Sequence, residues 1–368
     1  MNKAISNILI FTSEFPPLPG GIGNHAFNLA KQLSLNGFKV EVLADRRSKG
    51  DEEEAFDNKS GFTVHRVPLR KIRTLMYVQR ILLLFRLVRQ NEVIIASGKF
   101  PLWLVGFSSL FYKRKFLAIA HGSEVNFTKK LLKSSIESAL KRFDSVIAVS
   151  HFTKSLISHL PLKDLHVIRN GFNATNWNKD KVSNLDLKGY PKLLTVGNVT
   201  SRKGQHNVIR HLSKLLESFP DAHYHCVGFP TQKDEFIELA KQLNVDDHIT
   251  FHGSVDHGEL EDFYKSTDIF VMLSSITKTG DVEGFGIAVI EANYFGLPAL
   301  GSLGCGLEDA IKNEASGFLM KPEDEASFIT AIESILKDKE TYKSASVQWA
   351  EHHRWSKVIK DYIEVITA

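Results

Sequence analysis

The feature that most constrains this chain is a repeating unit: a short, continuously apolar run, then a polar or glycine turn, then a stretch with helical spacing. A strand half-exposed to water alternates apolar and polar residues, so unbroken apolar runs predict strands buried on both faces. In the first half these runs are Asn7–Thr12, Phe38–Leu43, Phe62–Val67, Val93–Ala96, Phe116–Ala120, Ser145–Val149 and His166–Arg169. In the second they are Leu193–Val196, Tyr224–Val227, Ile249–Phe251, Ile269–Leu273 and Pro298–Leu300. Their alternation with helical stretches predicts an α/β fold of doubly wound parallel sheets. At 368 residues the chain exceeds what one such core accommodates, so two domains are expected.

The segment Asn176–Tyr190 is polar and has no apolar periodicity, the composition of a linker. This predicts domains over 1–175 and 191–352, a linker over 176–190 and a final helix within 353–368, where Val358, Ile359, Tyr362, Ile363 and Ile366 repeat at helical spacing. Two doubly wound domains facing each other would leave a cleft at the carboxyl ends of their strands, where such folds bind ligands.

Only Cys226 and Cys305 are present, with no CxxC spacing, which points to a reducing, cytoplasmic location rather than a disulfide framework or structural zinc. The apolar run Ile8–Phe11 is interrupted by Ser13 and Glu14 too early for a signal peptide or membrane span. Charge is unevenly distributed: residues 1–180 carry 27 Lys+Arg against 14 Asp+Glu, and the remainder 19 against 28. A basic half suits an anionic membrane surface or an acidic saccharide, or the two domains simply attract each other; no zinc-finger or RNA-binding signature supports nucleic acid. Leu75–Arg89 is nearly all apolar, but Arg73, Arg80, Arg86 and Arg89 do not share one helical face. It reads as a buried helix leading into the strand at Val93, with a peripheral membrane contact as the alternative.

Four segments carry the candidate chemistry. Glu283–Pro298 reads as a loop, a helix and a stop: Gly284 and Gly286 permit close backbone approach at the helix start, and Gly296 and Pro298 end it. Such a start suits a diphosphate. Glu283 would stand beside the phosphates, where a loop carboxylate can hold sugar hydroxyls or oppose positive charge at the anomeric carbon. Glu291, two turns on inside the helix, can hold the two hydroxyls of a ribose; a solvated surface glutamate fits poorly at Glu291, inside the apolar run Ile287–Ala292. After the strand Leu193–Val196, Arg202 and Lys203 are placed to grip and neutralise a departing diphosphate, work otherwise done by a metal. The loop Phe15–Ala26 follows the first strand. Its Gly21–Ala26 fits GxGxxA with Asp45 further on, as a nicotinamide-binding fold would have, but three prolines separate the glycines from the strand. His121, at the end of an apolar strand and followed by Gly122, would point into the cleft, although a lone histidine is often structural. With no DxD, HExxH or clustered ligand set, neither a catalytic metal nor a cofactor is expected.

These residues resemble glycosyltransferase family 4, the retaining, nucleotide-sugar-dependent enzymes of the GT-B fold. The resemblance rests on the glycine loop Gly20–Gly23, HGSE at His121–Glu124, SVIAVS ending at Ser150, RNG at Arg169–Gly171, RKG at Arg202–Gly204, and the pair Glu283 and Glu291 with seven residues between. It implies two Rossmann-like domains, with a final helix crossing back to the first. It also implies a nucleotide-diphosphate sugar donor, UDP- rather than GDP-linked, and a saccharide or lipid-linked acceptor on the first domain, in cell-surface polysaccharide or glycolipid synthesis. By the same resemblance Gly21, Arg202, Lys203 and Gly286 bind the diphosphate and Glu291 the ribose. Glu283, Gly284, Phe285 and His121 bind the donor sugar, with Glu283 and His121 as the catalytic pair. Transfer would proceed by same-face return of the acceptor to a short-lived oxocarbenium ion. The chain departs from the family pattern at Asn198, where many members have Arg, and at Asn173, where Asp is frequent. The readings from other classes are an NAD(P)-dependent oxidoreductase and a noncatalytic sugar-nucleotide-binding protein.

Overall fold

The computed structural model describes residues 5–18, 20–70, 72–183 and 185–368. Pro19 of the three-proline loop and the side chain of Arg73 lie outside the described residues. The chain divides into two units, Met1–Gly171 with Trp355–Ala368, and Phe172–Arg354.

The first unit is built on β1 (Asn7–Thr12), β2 (Lys39–Asp45), β3 (Thr63–Val67), β4 (Val93–Ser97), β5 (Lys115–Ala120), β6 (Ser145–Ala148) and β7 (Leu165–Val167). These pair in parallel in the order β3-β2-β1-β4-β5-β6-β7. The second holds β8 (Lys192–Val196), β9 (His223–Val227), β10 (Ile249–Gly253), β11 (Ile269–Met272), β12 (Ala299–Ser302) and β13 (Gly317–Met320), in the parallel order β10-β9-β8-β11-β12-β13. Both are doubly wound, Rossmann-like sheets, as the unbroken apolar runs predict. Ile8–Phe11 and Ile269–Met272 are fully buried, and helices on both faces supply the cover: Gln205–Ser218, for example, turns Val208, Ile209, Leu212 and Leu215 inward at helical spacing.

β13 is not among the runs the sequence singles out. It opens on a glycine and has no β-branched residue, and Gly317 is there because a Cβ would fall 1.8 Å from the Ala299 carbonyl oxygen of β12.

The expected linker differs too. Residues 176–190 belong to the second unit, where Trp177 packs on His257, Tyr264 and Phe295 and the Asn178 amide donates to Glu261 Oε2 at 2.9 Å. One buried tryptophan outweighs the polar composition around it. The chain crosses between units at Gly171–Phe172 and Arg354–Trp355, and the helix Trp355–Thr367 belongs to the first unit.

The helix Arg73–Gln90 leads into β4, but it is not a buried one: Leu84, Leu87 and Val88 face the core while Leu75, Val78 and Leu82 are exposed. Among the described residues no helix is long and apolar enough to cross a membrane.

Candidate active site

In a doubly wound sheet the crevice for a ligand opens at the carboxyl ends of the strands where their order reverses. That point lies between β8 and β11 in the second unit and between β1 and β4 in the first. The loops leaving β8 and β11 carry Arg202, Lys203 and Glu283, whereas in the first unit Gly21 opens the helix after β1, Ser97 ends β4 and His121 follows β5.

In the second unit the loop after β8 is pressed against the end of β11. Gly204 has φ of 80° and a Cβ there would lie 1.8 Å from the Leu273 carbonyl oxygen, so only glycine fits. This fixes the two cations. Arg202 Nη1 and Lys203 Nζ both donate to Glu283 Oε2, at 2.6 and 2.7 Å, and Arg202 Nε lies 3.2 Å from Asp281 Oδ2. Burial disfavours the charge of Glu283, but the Lys203 ammonium and Arg202 guanidinium outweigh it and hold the carboxyl below its ordinary range.

The helix Ile287–Tyr294 begins at Gly286, whose φ is 93°, and has no acidic residue in its first turn. Beside that start the Gly306 amide donates to the Glu283 carbonyl at 2.8 Å, and a Cβ on Gly306 would fall 2.0 Å from the Gly284 carbonyl oxygen. Glu291, on the second turn, is half-buried and accepts from Tyr264 OH at 3.2 Å. Burial pushes its carboxyl up to about 7, against the Tyr264 bond and the Lys203 charge. Lys203 therefore acts on both glutamates, and the structure brings together the four charged residues that the sequence singles out in this unit. Phe285 is different. Its ring is buried against His353, with centroids 5.8 Å apart, so any donor contact must come from its backbone.

In the first unit His121 follows β5, and its Nε2 is 2.9 Å from Ser97 Oγ at the end of β4. Its backbone amide donates to Glu124 Oε1, and its ring meets the edge of His25, with centroids 5.0 Å apart. Burial lowers the imidazole to about 4, so His121 is neutral at pH 7. Buried Glu124 is pushed up to about 7. The helix Gly21–Leu35 starts with no acidic residue in its first turn, and a Cβ on Gly21 would meet nothing within 4 Å.

Sequence reasoning missed Tyr264, Asp281, Ser97 and His25. Ser97 had a signal: like His121 it stands at a strand's carboxyl end before a glycine. Tyr264 and His25 had none, since both come from helices whose facing is set only by packing. The nicotinamide reading falls on Asp45, whose carboxylate is held bidentately by Arg80 at 2.9 and 2.7 Å and is therefore already committed. Among the described residues no group of three or more His, Cys, Asp or Glu is placed to hold a metal ion.

A family model described as glycosyl transferases group 1 matches residues 177–350, and one described as Glycosyltransferase Family 4 matches 19–176. The chain belongs to glycosyltransferase family 4. This family 4 glycosyltransferase is 25% identical to an uncharacterised glycosyltransferase of Methanocaldococcus jannaschii, over 97% of each chain. It is also 25% identical to the GDP-mannose-dependent alpha-(1-6)-phosphatidylinositol monomannoside mannosyltransferase of Mycolicibacterium smegmatis, over 90% of this chain and 89% of that one. Among solved structures, Anabaena HepE in complex with UDP and glucose superposes with a TM-score of 0.79 at 17% identity, over 98% of this chain and 99% of that one. The fold class is GT-B, with the two parallel-sheet domains that the family resemblance implied.

Proposed function

We propose that the enzyme moves a hexose or N-acetylhexosamine from a UDP-linked donor to a saccharide or lipid-linked acceptor, with retention at the anomeric carbon and without a divalent metal. Its setting in this reading is cytoplasmic, in the synthesis of cell-surface polysaccharide or glycolipid. The observation that carries the reading is the convergence of Arg202 and Lys203 on one oxygen of Glu283 beside a helix start. Two fixed cations and a positive helix end supply the neutralisation that a leaving diphosphate needs.

The bond from C1 of the sugar to the β-phosphate breaks, with its electron pair leaving on the diphosphate. Arg202, Lys203 and the backbone at Gly286 stabilise that charge, and the Gly21 amide is assigned to a phosphate oxygen of the same donor. An acceptor hydroxyl then bonds to C1 on the face just vacated, and its proton passes to the leaving phosphate oxygen. Glu283 faces the transferred sugar with the Gly284–Phe285 backbone. A carboxylate held below its ordinary range by two cations is a weak nucleophile, so its part is to oppose the positive charge at C1. Neutral His121 offers a hydrogen bond to the sugar, and Glu291 takes the ribose hydroxyls. The UDP preference is supported by the UDP and glucose complex of the Anabaena neighbour. The GDP-mannose dependence printed for the mycobacterial relative makes GDP the competing base.

The test is release of nucleoside diphosphate from UDP-glucose, UDP-N-acetylglucosamine and GDP-mannose in the presence of a chelator. Lys203→Ala and Glu283→Gln are expected to lower kcat/KM by about 10²–10³ with little change in melting temperature. Full activity in both folded variants, or loss of all turnover on chelation, would contradict the mechanism. Donor binding with no diphosphate release would favour a noncatalytic binding protein.

A further inference from the structure

The first unit leaves an apolar stripe uncovered. At 100° per residue, Leu75, Val78 and Leu82 of the helix Arg73–Gln90 fall within an arc of about 80°, and Arg86 and Arg89 fall within the same arc. The four arginines of this helix do not share a face, as the sequence shows. Arg80 turns inward to Asp45, but the two nearest the carboxyl end join the exposed stripe. Leu82 is 66% exposed, which no folding core explains. The stripe continues into a second element through Phe85, whose ring lies 5.9 Å from that of Phe111, and Phe111 in turn lies 5.1 Å from Phe107. Phe111 is 60% exposed and Phe107 50%. Isolated exposed leucines are ordinary; a contiguous patch spanning two elements marks a surface that meets something apolar.

The charge around the stripe says what. Residues 70–136 contain 13 Lys+Arg and only two acidic residues, Glu92 and Glu124. Glu124 is buried, and Glu92 accepts from the Ser6 amide at the amino end of the sheet. The helix Arg73–Gln90 has no acidic residue at all. We infer that this face is a docking surface for an anionic phospholipid bilayer: Leu75, Val78, Leu82 and Phe111 enter the headgroup boundary while Arg86, Arg89 and Lys113 meet lipid phosphates. A second copy of the chain on the same face would bring like-charged rims together about the two-fold axis, which opposes self-association. A bilayer supplies both the apolar layer and the negative charge, and a short stripe on one helix face suits lying in the interface rather than spanning it. The inference adds a partner to the proposed transferase. Its test needs no turnover, so failure of one reading is distinguishable from failure of the other.

The experiment is co-sedimentation of the full chain with vesicles of phosphatidylglycerol in phosphatidylcholine against pure phosphatidylcholine, at low and high salt. The wild-type chain is expected to partition to the anionic vesicles and to release at high salt. The double variant Leu75→Asp, Leu82→Glu and the single variant Arg86→Glu are each expected to weaken partition about tenfold or more. All three positions are exposed, so melting temperature stays near wild type. Three results would overturn the assignment. One is no preference for anionic vesicles, and another is undiminished binding by both variants. The third is a wild-type dimer that Leu82→Glu converts to monomer with no vesicle binding by either.

Discussion

Glu283 and Glu291 stand on one loop and helix of the second unit, yet their carboxyls are driven in opposite directions. Burial acts on both. For Glu283 two cations override it; for Glu291 only a phenol and the more distant Lys203 oppose it, and the carboxyl titrates near 7. An ionised carboxylate is the better acceptor for ribose hydroxyls, so donor affinity is expected to rise with pH across that value. The expected slope, read as UDP affinity by calorimetry between pH 6 and 8, disappears in Glu291→Gln. Tyr264→Phe removes the one hydrogen bond favouring the charged form and shifts the midpoint upward. A pH-independent affinity in the wild type would refute the assignment of Glu291. The two glutamates were visible in the sequence as a spaced pair, Glu283 in a glycine loop and Glu291 inside an apolar run. The tyrosine that tunes one of them was not, because it comes from a separate helix, His257–Ser266, whose facing depends on the packed core.

At the scale of elements, apolar continuity revealed strands wherever they are buried on both faces and β-branched, and failed where close packing replaced side chains with glycine, as at β13. Helices were harder. The stretch now seen as Arg73–Gln90 is so apolar that it reads as buried, and only the structure separates its inward Leu84, Leu87 and Val88 from its outward stripe. Gly284 and Gly286 were read as permitting close backbone approach at a helix start, whereas the first role of the glycines around these loops is to let elements touch each other. Gly204 shows this most sharply. An alanine there meets both a left-handed backbone and the Leu273 carbonyl at 1.8 Å, so the loop must move off β11. Gly204→Ala is expected to cost about 3 kcal/mol of stability or more and to displace Lys203, lowering donor affinity with it. Gly21→Ala is the control: its Cβ meets nothing within 4 Å, and the melting temperature is expected to hold. Equal melting temperatures for the two variants would show that contact with β11 does not fix this loop.

Over the whole molecule the unused titratable groups are histidines. His223, His225, His248 and His252 gather where β9 and β10 pair, with His225 Nδ1 3.1 Å from His252 Nε2. Because His225 Nε2 must donate to the Lys188 carbonyl at 3.1 Å, its Nδ1 is the acceptor and His252 the donor; protonating His225 would set two N–H groups against each other. Burial holds His223 and His225 at about 4, as it does His121 in the first unit, and lowers His25, His206 and His252 as well. Groups whose folded values lie below their unfolded value near 6.5 contribute stability that is complete above that pH and lost as the pH falls toward 4, since the unfolded chain then binds more protons. Glu124 and Glu291, raised to about 7, work the other way: protonation favours the folded chain between about 7 and 4.5. Six histidines set against two glutamates leave a net loss, and because the depressed histidines occur in both units, neither unit is spared. The melting temperature is therefore expected to fall by several degrees between pH 6.5 and 4.5, and the histidine part of the fall eases toward pH 4, where the folded chain takes up the same protons. Calorimetric scans across that range check it. A transition that stays level or climbs as acid is added would mean that the histidine clusters are solvated rather than held neutral.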